Sequence, residues 1–111
     1  MRIEIKPLSV NECFQGRRFK TPKYKAYEKE ALLLLKPMSI GKGQLSLSLL
    51  IGLSSKNADL DNILKPWIDI LQKFYGFNDR HIYKLTVEKV DVKKGFEFIE
   101  FDIYEYESST K

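Results

Sequence analysis

The residues best suited to catalysis are acidic and lie close together in the second half of the chain. Asp59 and Asp61 are two residues apart, and Lys65 follows about one helical turn later. Mg²⁺ takes one or two carboxylates and fills its other positions with water and phosphate oxygens. A lysine can hold the same phosphate as a point charge. This spacing therefore predicts metal-dependent chemistry on a phosphate group.

The composition restricts which metal chemistry is possible. The chain has one cysteine, Cys13, and one histidine, His81. A single cysteine excludes an intramolecular disulfide framework and a cysteine-based zinc site, and a single histidine excludes a histidine-rich site. Any metal must therefore be held by oxygen ligands.

Helix capping is a simpler interpretation of the same acidic residues. Asp59 or Asp61 would accept hydrogen bonds from the first helical turn. Asp61 and Lys65 would then form an ordinary i, i+4 pair worth about 0.2–0.5 kcal/mol. One helix does not need two caps, however, and Pro66 predicts a broken or kinked first turn. Both interpretations stay open at this point.

Charge is distributed unevenly along the chain. Its net charge is +4, but the first 58 residues carry eleven Lys or Arg and four acids, whereas residues 59–111 carry eight and eleven. This asymmetry favours a polyanionic partner for the basic half. The candidates for contact with such a polyanion, which would be DNA if the resemblance described below holds, are cations near the N-terminal loop and one beside the acidic pair: Arg17, Arg18, Lys20, Lys23, Lys25 and Lys56. Phe19 and Tyr24, which lie among them, either stack on bases or pack in the core.

Hydrophobic periodicity predicts six elements in the order β-α-β-α-β-β. They are strand 1–8, helix 22–36, strand 45–53, helix 60–75, strand 81–91 and strand 96–106. Residues 9–21 are predicted to form a loop, and residues 107–111 a frayed tail. We expect one small domain over residues 1–111, of the α/β or α+β class, with two helices on one face of a mixed sheet.

The environment of the protein is also expected from its composition. No apolar run approaches the ~20 residues that a membrane span needs, and the N-terminus lacks the apolar core of a secretory signal. We therefore expect a cytoplasmic protein with no membrane partner.

The acidic motif resembles that of a known family. The run Asp-Leu-Asp-Asn-x-x-Lys at 59–65, then Asp69, then Gly-Phe-Asn-Asp-x-x-Ile at 76–82 is similar to the signature of the RusA-type Holliday junction resolvases. These small crossover junction endodeoxyribonucleases are often carried by phages and prophages. The run Pro-Leu-Ser-Val-Asn at 7–11 also resembles the early loop of the family. The similarity covers about residues 3–105 and is sharpest over 56–82.

The resemblance implies a bacterial or phage-encoded homodimer that binds four-way DNA junctions. Such an enzyme acts in DNA recombination and repair, and nicks two strands symmetrically with Mg²⁺, for which Mn²⁺ is expected to substitute. Its metal ligands carry over onto Asp59, Asp61 and Asp79, and its catalytic lysine onto Lys65. Asn78 stands where some relatives have a second acid. A nuclease for other branched DNA and a catalytically silent junction-binding module are the alternatives.

Geometry limits how these acids could meet. A straight helix over 61–75 is ~21 Å long, which places Asp59 and Asp61 at one end and Asp79 at the other. Either the helix is bent, or Asp79 comes from a partner subunit across a two-fold axis. Within one chain, the strand that returns after Asp79 would bring Glu88 toward Asp59 as a reserve ligand.

Overall fold

Two α-helices and a four-stranded mixed sheet form the domain in the computed structural model, which describes residues 1–15 and 19–107. In chain order the elements are β1 (Arg2–Ile3), β2 (Phe14–Gln15), β3 (Phe19–Lys20), α1 (Pro22–Leu34), β4 (Leu45–Leu53), α2 (Leu60–Tyr75), β5 (Ile82–Asp91) and β6 (Phe98–Glu105). Short 3₁₀ turns cover Val10–Glu12 and Asp79–His81. The predicted class and the order of the main elements are confirmed.

The sheet has the strand order β1-β6-β4-β5. β4 and β5 are parallel and are joined through α2, whereas β6 runs antiparallel to β4 and to β1. β5 therefore forms one edge of the sheet. Because a parallel crossover returns the chain to the same end of the sheet, α2 must lie across it.

The core lies between this sheet and the helices. β4 buries one side of its alternating pattern, and α2 contributes Trp67, Ile70 and Leu71, which are fully buried. The Trp67 ring lies 6.2 Å from Tyr27 of α1 and 6.1 Å from Phe101 of β6, measured between ring centroids. Each such side chain contributes roughly 1.5–3 kcal/mol on burial, so α2 is held firmly against the sheet.

A glycine on the outer face of β4 is required by close packing. A Cβ atom at Gly52 would lie 2.4 Å from the ring of Phe98. That ring is covered in turn by the Arg2 guanidinium, 3.7 Å from its centroid. Phe98 is therefore buried although it lies on the face without helices.

α2 is continuous across Pro66, so the predicted break in its first turn is wrong. Proline removes one backbone hydrogen bond, the one to the carbonyl of Asn62. The Pro66 ring is fully buried, and its contacts offset that loss. The helix ends at Gly76, whose φ of 74° is the left-handed conformation that ends many helices.

The N-terminal segment differs from its prediction. Only Arg2 and Ile3 pair with β6, so β1 is much shorter than residues 1–8. Residues 9–21 contain the paired strands β2 and β3 rather than an unstructured loop. α1 ends at Leu34, two residues before the predicted end. Glu107 is exposed outside the sheet, and the remaining residues of the predicted tail, 108–111, lie outside the described part of the chain.

Neither helix in the described part of the chain is long and apolar enough to cross a lipid bilayer.

Candidate functional site

A solvent-open groove runs between α2 and the beginning of β5. Its volume is about 400 Å³. Its walls carry three carboxylates and one ammonium group, and its floor is aliphatic. The lining residues are Asp61, Leu64, Lys65, Ile68, Asp69, Asp79, Ile82 and Leu85.

The helical repeat explains most of this lining. Asp61, Lys65 and Asp69 are spaced four residues apart and therefore share one face of α2, beside the apolar face that packs on the sheet. Asp61 and Asp69 are ~12 Å apart along the helix axis. The chain reverses at Gly76 and brings Asp79 back beside the helix, into the same groove.

The electrostatics place Asp79 near Asp69. Asp69 is half-buried, and burial is the main reason that its pKa is raised above the usual aspartate value. The positive charge of Lys65 opposes this rise, and the negative charge of Asp79 adds to it. The positive charge of Lys20 also opposes the rise, so this end of the groove contains both cationic and acidic side chains.

The capping hydrogen bonds predicted for these acids are absent from the described residues, although Asp61 lies in the first turn of α2, where its charge suits the helix dipole. Asp59 occupies the N-cap position of α2 but makes no capping hydrogen bond with its side chain. No hydrogen bond or ion pair within residues 1–15 and 19–107 uses the carboxylate of Asp61 or Asp79. The predicted pair of Asp61 with Lys65 is absent from these contacts, and Asn78 rather than Asp79 caps the turn after α2.

The predicted ligand set is only partly brought together. Asp61 and Asp79 line the groove with Lys65, whereas Asp59 is exposed and does not line it. Two residues advance a helix by about 200° around its axis, so the side of α2 that carries Asp61 turns away from Asp59. In the part of the chain that the structure describes, no three His, Cys, Asp or Glu side chains lie close enough together to hold a metal ion. One chain thus does not assemble the Asp59, Asp61 and Asp79 trio.

The donor chemistry of the groove nevertheless fits Mg²⁺ or Mn²⁺. Asp61 and Asp79 offer hard oxygen donors that have no other partner among the described residues. Mg²⁺ needs only one or two carboxylates and completes its shell with water and phosphate oxygens. Lys65, which is exposed on the same wall, could reach such a phosphate.

The loop that leads to Asp59 is held from two sides. The ammonium of Lys89 donates to the backbone carbonyls of Ala58 at 3.2 Å and Lys56 at 3.5 Å. The carboxylate of Glu97 accepts hydrogen bonds from the hydroxyl of Ser54 at 2.6 Å and from the backbone N–H of Gly95. Sequence reasoning missed both residues, because nothing in their spacing reveals a long-range contact with this loop.

Glu88 does not serve as the reserve ligand that the strand path predicts. It pairs in register with Leu50, whereas Val87 pairs with the buried Leu49. Alternate residues of a strand face opposite sides of the sheet, so Glu88 lies on the face away from α2 and the groove.

The predicted DNA-binding cations have different surroundings. Lys20 pairs with Glu28 at 3.1 Å and Lys23 with Glu12 at 3.3 Å. Lys25 and Lys56 are exposed and form no ion pair among the described residues. Arg17 and Arg18 lie outside the described residues.

The two aromatic residues of the basic segment have opposite environments. Tyr24 is 2% exposed and packs edge-on against Phe14, as the core interpretation predicts. Phe19 is 75% exposed on β3, so the core interpretation is wrong for this residue. Phe19 therefore has the exposure that stacking on a base requires.

A scan against models of known protein families finds none that matches the chain, and no curated protein matches it either. The resemblance to the resolvase signature thus depends on the motif residues over 59–82. The groove is a separate observation, because the folded chain rather than the motif brings its lining residues to one surface.

Proposed function

We propose that this protein is a Mg²⁺-dependent endodeoxyribonuclease of the RusA type that resolves four-way DNA junctions. The observation that carries the proposal is the groove, whose lining includes Asp61, Lys65 and Asp79 although the two acids are 18 positions apart in the sequence. Neither carboxylate has a structural partner among the described residues. Carboxylate oxygens are the protein ligands that Mg²⁺ prefers, which supports a cation site here.

The residues of the groove divide the chemistry between them. Asp61 of one subunit and Asp79 of the other would hold the ion in a homodimer, because within one chain these two acids lie toward opposite ends of the groove, with the half-buried Asp69 beside Asp79. When bound, the ion polarises the scissile phosphate and lowers the pKa of a bound water. The ammonium of Lys65 stabilises the negative charge that develops on the phosphate oxygens. Mn²⁺, with the same preference for oxygen ligands, would substitute.

A homodimer is part of this proposal because it would give Asp59 a role. The floor of the groove is apolar and open, with Leu85 45% exposed, and β5 is an unpaired sheet edge. Antiparallel packing of two α2 helices over this floor would bring Asp59 and Asp61 of one chain toward Asp79 of the other. A mixture of Asp59→Asn and Asp79→Asn subunits would then contain heterodimers with one intact site. Absence of any recovered nicking in that mixture would exclude shared sites.

DNA binding is assigned to the basic surface around β3 and the loop before α2. Lys25 and Lys56 are available for phosphates, and Lys20 and Lys23 can exchange their carboxylate partners for phosphates. Arg17 and Arg18, which lie outside the described residues, stay candidates from the sequence alone. Such phosphate contacts make the affinity for DNA fall as the salt concentration rises. We expect Lys25→Ala with Lys56→Ala to flatten that salt dependence.

Nicking of a labelled synthetic four-way junction, compared with a flap and a linear duplex, tests the function. Paired symmetric nicks that require Mg²⁺ or Mn²⁺ would support the proposal, with Asp79→Asn as the inactive control. Cuts confined to flaps or forks would support a nuclease for other branched DNA. Binding of the junction without cleavage at any metal concentration would support a silent binding module. The setting proposed for this activity is recombination and repair of DNA in the cytoplasm of a bacterium or an infected cell.

A further inference from the structure

The side chain of Gln72 connects the helix to the loop that carries Asp79. Its amide oxygen accepts a hydrogen bond from the backbone N–H of Asp79 at 2.8 Å. Its amide nitrogen lies 3.4 Å from a carboxylate oxygen of Asp69, one turn earlier on α2. Gln72 therefore contacts both acids at this end of the groove, although it does not line the groove itself.

The other bonds of this loop are internal to it. Asn78 accepts from the N–H of Arg80 at 3.1 Å, and the N–H of His81 bonds to the carbonyl of Asn78 at 2.9 Å. These bonds shape the turn but do not fix where it lies relative to α2. Among the described residues, the Gln72 bond is the side-chain hydrogen bond that joins this turn to the helix. The distance of Asp79 from Asp61 thus depends on Gln72.

A second side chain makes similar contacts at the other end of α2. Lys89 extends from β5, on the face toward α2, to the carbonyls of Lys56 and Ala58, just before Asp59. Its ammonium is within ion-pair distance of no carboxylate among the described residues. The ammonium of Lys89 therefore binds the main chain of the loop that carries Asp59.

We propose that Gln72 and Lys89 are positioning residues that set the two acid-bearing loops at the ends of α2. This inference rests on the proposed function, since the loops matter as carriers of metal ligands. Side chains that orient metal ligands typically change metal affinity or activity 10–100-fold when they are removed. Gln72 and Lys89 donate or accept hydrogen bonds at the main chain of these two loops, so we expect removal of either bond to shift the loop that it holds.

The test uses Gln72→Met and Lys89→Met, which keep the length of each side chain and remove its polar end. Gln72→Glu keeps the acceptor for the Asp79 N–H, and Lys89→Arg keeps a cationic donor. Gln44→Met and Lys84→Met are matched controls. Gln44 is exposed before β4, and Lys84 is exposed on the face of β5 away from α2.

Four measurements are made on each full-length variant. Mn²⁺ binding is followed by electron paramagnetic resonance without DNA, and nicking is followed against Mg²⁺ concentration. Junction affinity and melting temperature are measured in EDTA. We expect each Met variant to weaken Mn²⁺ binding and raise the half-saturating Mg²⁺ concentration by roughly tenfold or more, with nicking recovered at high Mg²⁺. Gln72→Glu and Lys89→Arg are expected to nick better than the matching Met variants at limiting Mg²⁺.

The controls and the EDTA measurements distinguish positioning from other roles. Junction affinity in EDTA should stay at the wild-type value, because a tether to the main chain touches no phosphate. A loss of that affinity in Lys89→Met would instead identify Lys89 as a DNA contact and overturn its positioning role. Unchanged Mn²⁺ binding and Mg²⁺ dependence in both Met variants, with wild-type nicking intact, would overturn the inference alone. Wild-type protein that neither binds Mn²⁺ nor nicks would overturn the proposed function, and the inference with it.

Discussion

Replacement of Asp61 by asparagine should lower nicking activity far more than it lowers the stability of the fold. The side chain is exposed at the second position of α2, and no hydrogen bond or ion pair in the described part of the chain depends on its charge. The structural loss is thus limited to the interaction with the helix dipole, about 0.3–1 kcal/mol. For a domain of this length, 1 kcal/mol corresponds to roughly 4–8 °C in melting temperature, so the variant should melt about 1–8 °C below wild type.

The effect on activity should be much larger. Asparagine keeps the shape of the side chain but lacks the charge that holds a divalent ion. Since loss of an outer residue of a metal site already costs 10–100-fold, we expect loss of a direct ligand to reduce nicking by about 100-fold or more. A factor of 100 corresponds to about 2.7 kcal/mol in the activation barrier. The activity should therefore fall by several times the free energy that the fold loses.

Single-turnover nicking of a four-way junction, with enzyme in excess, measures this effect without a contribution from product release. Glu88→Gln is the matched control, because it removes one exposed carboxylate from the opposite face of the sheet. Wild-type nicking by Asp61→Asn would refute the assignment of the groove. An equal loss in Glu88→Gln would show that net charge, rather than the groove, determines the rate.

Three further predictions concern other parts of the molecule. Burial alone would raise the pKa of Glu28, but hydrogen bonds from Lys73 and Lys20 lower it below the usual range. The stability that these hydrogen bonds provide is present above the ordinary glutamate pKa. It is lost as the pH falls through the lowered pKa of Glu28. Glu28→Gln should therefore cost roughly 1 kcal/mol at neutral pH and less in acid, as urea unfolding at both pH values would show. Phe19→Ala should leave the melting temperature unchanged but weaken junction binding at least fivefold, since stacking is worth about 1–3 kcal/mol per base. Equal junction affinities of Phe19→Ala and wild type, measured by fluorescence anisotropy in EDTA, would contradict this. Burial, and to a lesser extent nearby negative charge, raises the pKa of Cys13 to about 11, so a thiol reagent at pH 8 should label it only after denaturation, and rapid labelling of the folded protein would oppose the assigned burial.

Much of the fold was predictable because its elements follow local periodicity. β4 and α2 occupy the predicted ranges 45–53 and 60–75, since alternating Leu and Ser can bury one face only as a strand and the α2 pattern can do so only as a helix. The prediction failed at Pro66 and in residues 1–21. In both places the outcome depends on packing against distant residues, which compensates for a lost hydrogen bond or shortens a strand.

The sequence by itself determined which residues could bind a cation and that Asp61, Lys65 and Asp69 share a helix face, because the helical repeat is a local property. Only the tertiary structure decided that Asp79 joins them and that Asp59 and Glu88 do not. Those outcomes follow from the reversal at Gly76 and from the register between β4 and β5. Both depend on contacts between residues far apart in the chain, which a local pattern does not encode.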